Sequence, residues 1–228
     1  MSEPLPPNAH VSSHPCLQAK LSQLRSQSTS AKDTKTLIHE IAVIVGCEAL
    51  AHGLSTKETG TDTSALGYEY TTQTISPSHI SLVPILRSGL GMVDALESLL
   101  PNPVPVHHLG LYREKATLQP VEYYNNLPYH RPSTTKPGPS ELAIVIDPVI
   151  ATGQTMCAAI DTLQEWGVKR IIAIGVLASE GGLRKAATRW SEGVEVWVGG
   201  CDAETDGKGF IKPGLGDVGD RLFSTIGK

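Results

Sequence analysis

Long hydrophobic runs are missing from this sequence, as are an excess of charge and any pairing of its few cysteines. The longest clear apolar stretch, Ile171 to Ala178, has eight residues, against the ~18 that a membrane-spanning helix needs, so no membrane partner is implied. Nineteen Lys and Arg against 23 Asp and Glu give a formal net charge of −4 over 228 residues. That balance excludes a nucleic-acid binder held by charge alone, and any anionic ligand must be met by local groups. Cys16, Cys47, Cys157 and Cys201 form no CxxC pair, which fits reduced thiols in the cytoplasm better than a disulfide scaffold or a zinc site. His39-Glu40 lacks a second His four residues on, so the zinc-protease spacing is absent too. No repeat of 20 to 50 residues is present. Residues 1–13 carry four of their positions as Ser or His and three as Pro around no apolar centre. They are expected to form a disordered tail, without a legible secretory or transit signal.

What is present is a core-forming alternation, in a chain that is 40% hydrophobic. Helical spacing runs from about Lys32 to Ala51, a strand is expected over Ile80 to Leu86, a helix over Gly89 to Leu100, and a strand over Val104 to Tyr112. Strands at Leu142–Ile146, Ile171–Leu177 and Val194–Val198 then alternate with helices at Gly153–Trp166 and Leu183–Trp190. Near-continuous apolar strands separated by helices imply a parallel sheet covered on both faces. The fold class is α/β, a single domain over residues 14–228. Ligands of such sheets collect at the carboxyl ends of the strands.

Two segments break the alternation. Residues 113–140 form a long polar connection, the length of a functional flap. Residues 199–227 hold eight of the 22 glycines, a density whose entropic cost calls for a reason.

The segment richest in chemistry is Leu142-Ala-Ile-Val-Ile-Asp147-Pro148-Val149-Ile150-Ala151-Thr152-Gly153-Gln154-Thr155. An apolar strand ends in Asp147, a tight turn follows, and a helix begins at once. Free backbone N–H groups and the positive helix end then surround one point, a site for a phosphate monoester. Asp147 would repel phosphate but accept hydrogen bonds from the hydroxyls of an attached sugar, so the pair asks for a ribose 5-phosphate. On this segment alone, a capped helix without ligand competes equally.

The same segment resembles the phosphoribosyl pyrophosphate (PRPP) motif of type I phosphoribosyltransferases, in the Asp-Pro-x-x-Ala-Thr-Gly form of uracil phosphoribosyltransferases. Pro84-Ile-Leu-Arg87-Ser-Gly89-Leu-Gly91-Met92 is similar to that family's loop after the first core strand. Tyr112-Arg113 with Thr117-Leu-x-Pro120-Val-x-Tyr123-Tyr124 resembles its flap, about 113–140. Gly209-Phe210-Ile211-Lys212-Pro213-Gly214-Leu-Gly216-Asp217-Val218-Gly-Asp220-Arg221 resembles its base-binding hood, about 199–226. Gly214 to Gly219 also satisfies GxGxxG, but no apolar strand leads into it and too little chain follows for a dinucleotide-binding unit.

The resemblance implies a pyrimidine-salvage enzyme forming UMP and pyrophosphate from PRPP and uracil. Arg87, Arg113, the run Asp147 to Thr155 and Asp217 would bind PRPP; Ile211, Gly216, Asp217 and Val218 would bind uracil; Arg87 and Asp217 would be catalytic. Mg²⁺ would arrive with PRPP, a GTP effector and a homodimer or larger homo-oligomer are expected, and no metal ligand is assigned. The chain departs from the family pattern at Gln154 for Gly, Ser88 for Ala, Phe210 for Tyr and Ser179 for Pro. If residue 154 requires φ > 0, Gln there costs roughly 1–2 kcal/mol and weakens phosphate binding. The competing class is a weak or regulatory homologue that senses nucleotide or binds RNA.

Overall fold

The computed structural model describes residues 3–114, 120–128 and 139–225, with the Arg113 side chain outside the description. β1 (Ala9–Val11) leads into α1 (Pro15–Arg25) and the long α2 (Ala31–Gly53). Ser30 caps α2 by accepting from the Asp33 amide, satisfying one of the orphan donors of the first turn. α2 is long and apolar enough to cross a membrane. Its apolar side, including Leu37, Ile38, Ile41, Ala42 and Val45, instead lies in the core of this fold.

Next come the hairpin β2 (Ser55–Thr63) and β3 (Glu69–Ser76), then β4 (Ile80–Leu86), a 3₁₀ turn at Ser88–Met92, and α3 (Val93–Glu97). β5 (Leu109–Arg113) and β6 (Pro120–Asn125) precede β7 (Leu142–Ile146), the short β8 (Val149–Ile150), α4 (Gln154–Trp166), β9 (Arg170–Ser179), α5 (Glu180–Arg189) and β10 (Val194–Asp202). The chain closes with β11 (Glu204–Thr205), β12 (Ile211–Lys212) and α6 (Val218–Phe223).

The main sheet has the order β1-β10-β9-β7-β4-β5-β6, with β8 on β9. Every pairing in it is parallel except β5 with β6. All five residues of β7 are buried because alternate side chains enter two cores. Ile144 and Ile146 meet α2 and the C-terminal elements, whereas Ala143 and Val145 meet α4 and α5.

Three expectations need correction. The tail predicted over residues 1–13 is placed from Glu3 on: Arg184 donates to the carbonyls of Glu3 and Pro4, β1 extends the sheet beside β10, and the buried Asn8 amide donates to the carbonyls of Ala187 and Val194, both at 2.8 Å. Three edge residues carry no periodic signal, and prolines masked them. The polar connection 113–140 contains β6, antiparallel to β5, while its residues 115–119 and 129–138 lie outside the described structure. The strand expected from Val104 begins only at Leu109, preceded by a single bridge between Leu82 and Val106. The β2–β3 hairpin had no counterpart in the sequence reading. Every residue of β2 is exposed, so no apolar alternation marks it.

Candidate active site

At the carboxyl ends of β4 and β7 lies a cleft of about 230 Å³, lined on one side by Ser88, Asp147, Thr152, Gly153 and Thr155 and on the other by Ile211, Gly216 and Asp217. The turn before α4 and the glycine-dense chain end, about sixty residues apart in sequence, therefore share one cavity.

The first wall is built by close backbone approach. Gly153 has φ +75° and ends the turn just before α4, so the first-turn amides of that helix, which have no upstream carbonyl within it, surround this end of the cleft. Gly182, in the first turn of α5, is pressed so tightly on the turn that an added Cβ would sit 2.2 Å from the Ala151 carbonyl oxygen. Ser179 joins the two: its hydroxyl donates to the Ala151 carbonyl at 2.6 Å and accepts from the Gly182 amide at 2.9 Å. Gln154 occupies the first residue of α4, with the positive φ on Gly153. The backbone cost expected for Gln154 does not arise. Its Oε1 is buried without a hydrogen-bond partner among the described residues.

Asp147 is 8% exposed. Ser88 Oγ donates to its Oδ1 at 2.9 Å, and the Val149 amide also bonds the carboxylate. Burial nonetheless pushes its pKa from 3.8 up to about 7, against the opposing pull of those two donors.

The second wall is the C-terminal segment. Asp217 is exposed and caps α6, its Oδ1 accepting from the Asp220 amide at 3.0 Å. The wall is tied to α1 by two arginines. Arg25 forks onto Asp202 at 2.8 and 2.6 Å and reaches the Gly214 carbonyl at 3.1 Å. Arg221 donates to the carbonyls of Leu24, Leu215 and Ser26, and its burial lowers its pKa. The GxGxxG run here opens the six-residue α6 and follows a two-residue strand, which is no dinucleotide unit.

Of the residues singled out from sequence, Asp147, Val149 to Gly153, Thr155, Ile211, Gly216, Asp217 and Val218 line the cleft. Arg87 stands at its margin: Nη2 pairs with Asp220 Oδ1 at 3.0 Å and Nη1 bonds Thr225 Oγ1 at 3.3 Å. Asp220, held by Thr225 and then Arg87, has its carboxyl below the usual range. Pro148 and Gln154 are outside the lining; the Pro148 carbonyl instead accepts from the Val176 and Leu177 amides at 3.0 Å. The Arg113 side chain lies outside the described residues. Sequence reading left out of its binding set Ser88, Met156, Phe210 and Leu215, all of which line the cleft. Ser88 was visible as a departure from the family pattern, but its pairing with Asp147 depends on the β4–β7 register, in which Pro84 lies opposite Ile146.

Comparison with known proteins agrees with this geometry. Residues 11–225 match the family described as Uracil phosphoribosyltransferase. The uracil phosphoribosyltransferase of Roseiflexus castenholzii is 41% identical over 215 residues, 94% of this chain and 97% of that protein. That of Clostridioides difficile is 38% identical over 212 residues, 93% and 96% of the two chains. Among solved structures, the AQ2163 protein from Aquifex aeolicus superposes with a TM-score of 0.82 at 30% identity, covering 96% of this chain and 99% of that one. The Gly153 turn and the glycine-dense chain end face one cleft, and with a family match over residues 11–225 and relatives about 40% identical over nearly their whole length, the chain belongs to the uracil phosphoribosyltransferase family.

Proposed function

We propose that this protein transfers the 5-phosphoribosyl group of PRPP to N1 of uracil, giving UMP and pyrophosphate, a pyrimidine-salvage reaction. The observation that carries it is the shared cleft between the 151–155 turn and the 209–219 segment. In this reading the turn amides and the hydroxyls of Thr152 and Thr155 take the 5-phosphate. Asp147 accepts from the ribose hydroxyls. Ile211, Gly216 and Val218 hold the flat base, whose O2, N3–H and O4 pattern suits backbone N–H and C=O groups. A cytosine amino group would leave a buried donor unpaired, at a cost of about 1–3 kcal/mol.

Bond breaking at C1 runs ahead of bond making, so the sugar acquires oxocarbenium character, as in glycoside chemistry. Negative charge gathers on the departing pyrophosphate. Arg87, exchanging Asp220 for this anion, stabilises it through charge-assisted hydrogen bonds, and the carboxylate of Asp217 faces the cationic centre. Mg²⁺ enters as part of the PRPP substrate; among the described residues no three His, Cys, Asp or Glu side chains converge into a cage of their own. No covalent nucleophile is needed.

A homodimer or larger assembly belongs to the same proposal, supported by Leu66, Tyr68 and Tyr70 exposed on the β2–β3 hairpin. So do a GTP effector, read out as a change in rate on titrating GTP, and a cytoplasmic location, in keeping with four unpaired cysteines. The test is pyrophosphate release from Mg-PRPP with uracil, cytosine, hypoxanthine and adenine supplied separately. Uracil alone is expected to support turnover; equal rates with a purine would overturn the base assignment.

A further inference from the structure

The 3₁₀ turn after β4 meets the end of β7 without a side chain between them. An added Cβ on Gly89 would sit 2.5 Å from the Ile146 carbonyl oxygen and 3.2 Å from Pro84 Cα, so only glycine permits this approach. The approach sets the neighbouring Ser88 Oγ 2.9 Å from Asp147 Oδ1. Ser88 is itself part of the cleft lining. A carboxylate buried this far needs donors to remain charged, and Asp147 has two: the Val149 amide and Ser88. The amide is fixed by the backbone. The hydroxyl is the only one of the two that a side-chain change removes.

We propose that Ser88 is a positioning residue for Asp147: held in place by the Gly89 contact, its hydroxyl bonds the carboxyl and holds it turned toward the cleft, ready to accept the hydroxyls of the ribosyl substrate. This rests on the phosphoribosyl transfer proposed above. The charged groups around the site are Asp217 on the facing wall, Arg87, which is paired with Asp220, and Lys185, whose stem runs beside Gly153. None of them contributes to the perturbation of Asp147, which comes from burial and the two donors. Ser88 is therefore the adjustable influence on that carboxyl, through a direct hydrogen bond and without help from a distant charge.

The experiment compares wild type, Ser88→Ala and Ser88→Thr in the full chain by two readouts. The first is kcat/KM for PRPP, with uracil saturating, across a pH series. Loss of one hydrogen bond to the charged form is expected to move the ionisation limb of Ser88→Ala upward by about one pH unit. The KM for PRPP then rises roughly fivefold at pH 7 and converges on wild type near pH 9, with the KM for uracil unchanged. Ser88→Thr, which keeps the hydroxyl, restores the wild-type limb. The second readout is direct titration of the Asp147 carboxyl by carbon-13 NMR, assigned with Asp147→Asn, and it needs no turnover. An unshifted carboxyl titration in Ser88→Ala would overturn the role of Ser88. A shifted titration in a protein whose wild type makes no UMP would sustain the Ser88–Asp147 coupling and overturn the transfer reaction instead.

Discussion

The two walls of the cleft are built on opposite principles. The wall formed by β4, β7 and α4 is part of the sheet: its aspartate, Asp147, is 8% exposed, and its turn is clamped by Gly153, Ser179 and Gly182. The C-terminal wall consists of two-residue strands and a six-residue helix, and its aspartate, Asp217, is exposed. Ile211, Leu215, Val218 and Leu222 seat it on the core beside α2, and Arg25 and Arg221 anchor it to α1. One wall therefore holds its carboxyl desolvated, at the cost of its charged form. The other is short-stranded and keeps its carboxylate hydrated. Binding groups built for fixed geometry belong on rigid elements, whereas segments resting on few contacts are the ones free to adjust.

The sharpest way to break this contrast is Asp147→Asn. A carboxyl pushed from 3.8 to about 7 disfavours the charged folded state by on the order of 4 kcal/mol. Because folding raises this pKa, the stability associated with it is complete below about pH 4 and is lost as the pH rises through about 7. Asparagine has no such loss. The variant is expected to be more stable than wild type at pH 8, by up to about 4 kcal/mol, and to match it near pH 4. Its kcat/KM for PRPP should fall more than about a hundredfold, since the ribose hydroxyls lose their charged acceptor. Urea unfolding at the two pH values, beside steady-state rates, checks both. A carboxylate that costs stability and supports catalysis is the trade expected of an active site. A variant that kept full activity would remove Asp147 from the sugar site.

Next in size is Gly182→Ala, which attacks the rigid wall without touching a charge. A Cβ 2.2 Å from the Ala151 carbonyl must push the turn and α5 apart, for a stability loss of about 1–3 kcal/mol. The KM for PRPP should rise about tenfold through displaced turn amides, while the KM for uracil stays within twofold. Equal rises in both would show that the walls are mechanically one unit.

The walls also differ in how far they could be read beforehand. Leu142 to Ile146 is uninterruptedly apolar and ends in Asp147, a turn and a helix, so local chemistry reveals strand, turn and helix together. The alternation of strands and helices revealed the parallel sheet in the same way. The C-terminal wall has no such periodicity; its glycine density signalled a purpose, and resemblance supplied the purpose. Contacts between distant residues stayed hidden. Nothing near Arg25 announces Asp202, 177 residues away, and nothing near Asn8 announces its bonds to Ala187 and Val194. The β2–β3 hairpin escaped for the reverse reason: β2 is exposed throughout and no residue of β3 is fully buried, so neither strand displays a buried face for a pattern to reveal.

The smallest expected effect probes the tether. Arg25 does not line the cleft, yet its guanidinium holds Asp202 and the Gly214 carbonyl, and Asp202 Oδ2 in turn accepts the Gly214 amide at 3.0 Å. Arg25→Ala leaves that carboxylate, only 9% exposed at the side chain, with a single donor and frees the turn that precedes Leu215 and Gly216. Losing one partner of a partly buried pair costs roughly 1–3 kcal/mol. Most of that is expected as local loosening of the turn at Gly214, since the apolar seating of Ile211 and Leu215 is untouched. The KM for uracil should rise about fivefold, with the KM for PRPP within twofold, the reverse of the pattern expected for Gly182→Ala. Arg25→Lys, which retains the charge but loses the fork, should fall between wild type and alanine. If Arg25→Ala instead weakened PRPP and left uracil untouched, the C-terminal wall would be a sugar-phosphate element, and the division of labour between the two walls would have to be redrawn.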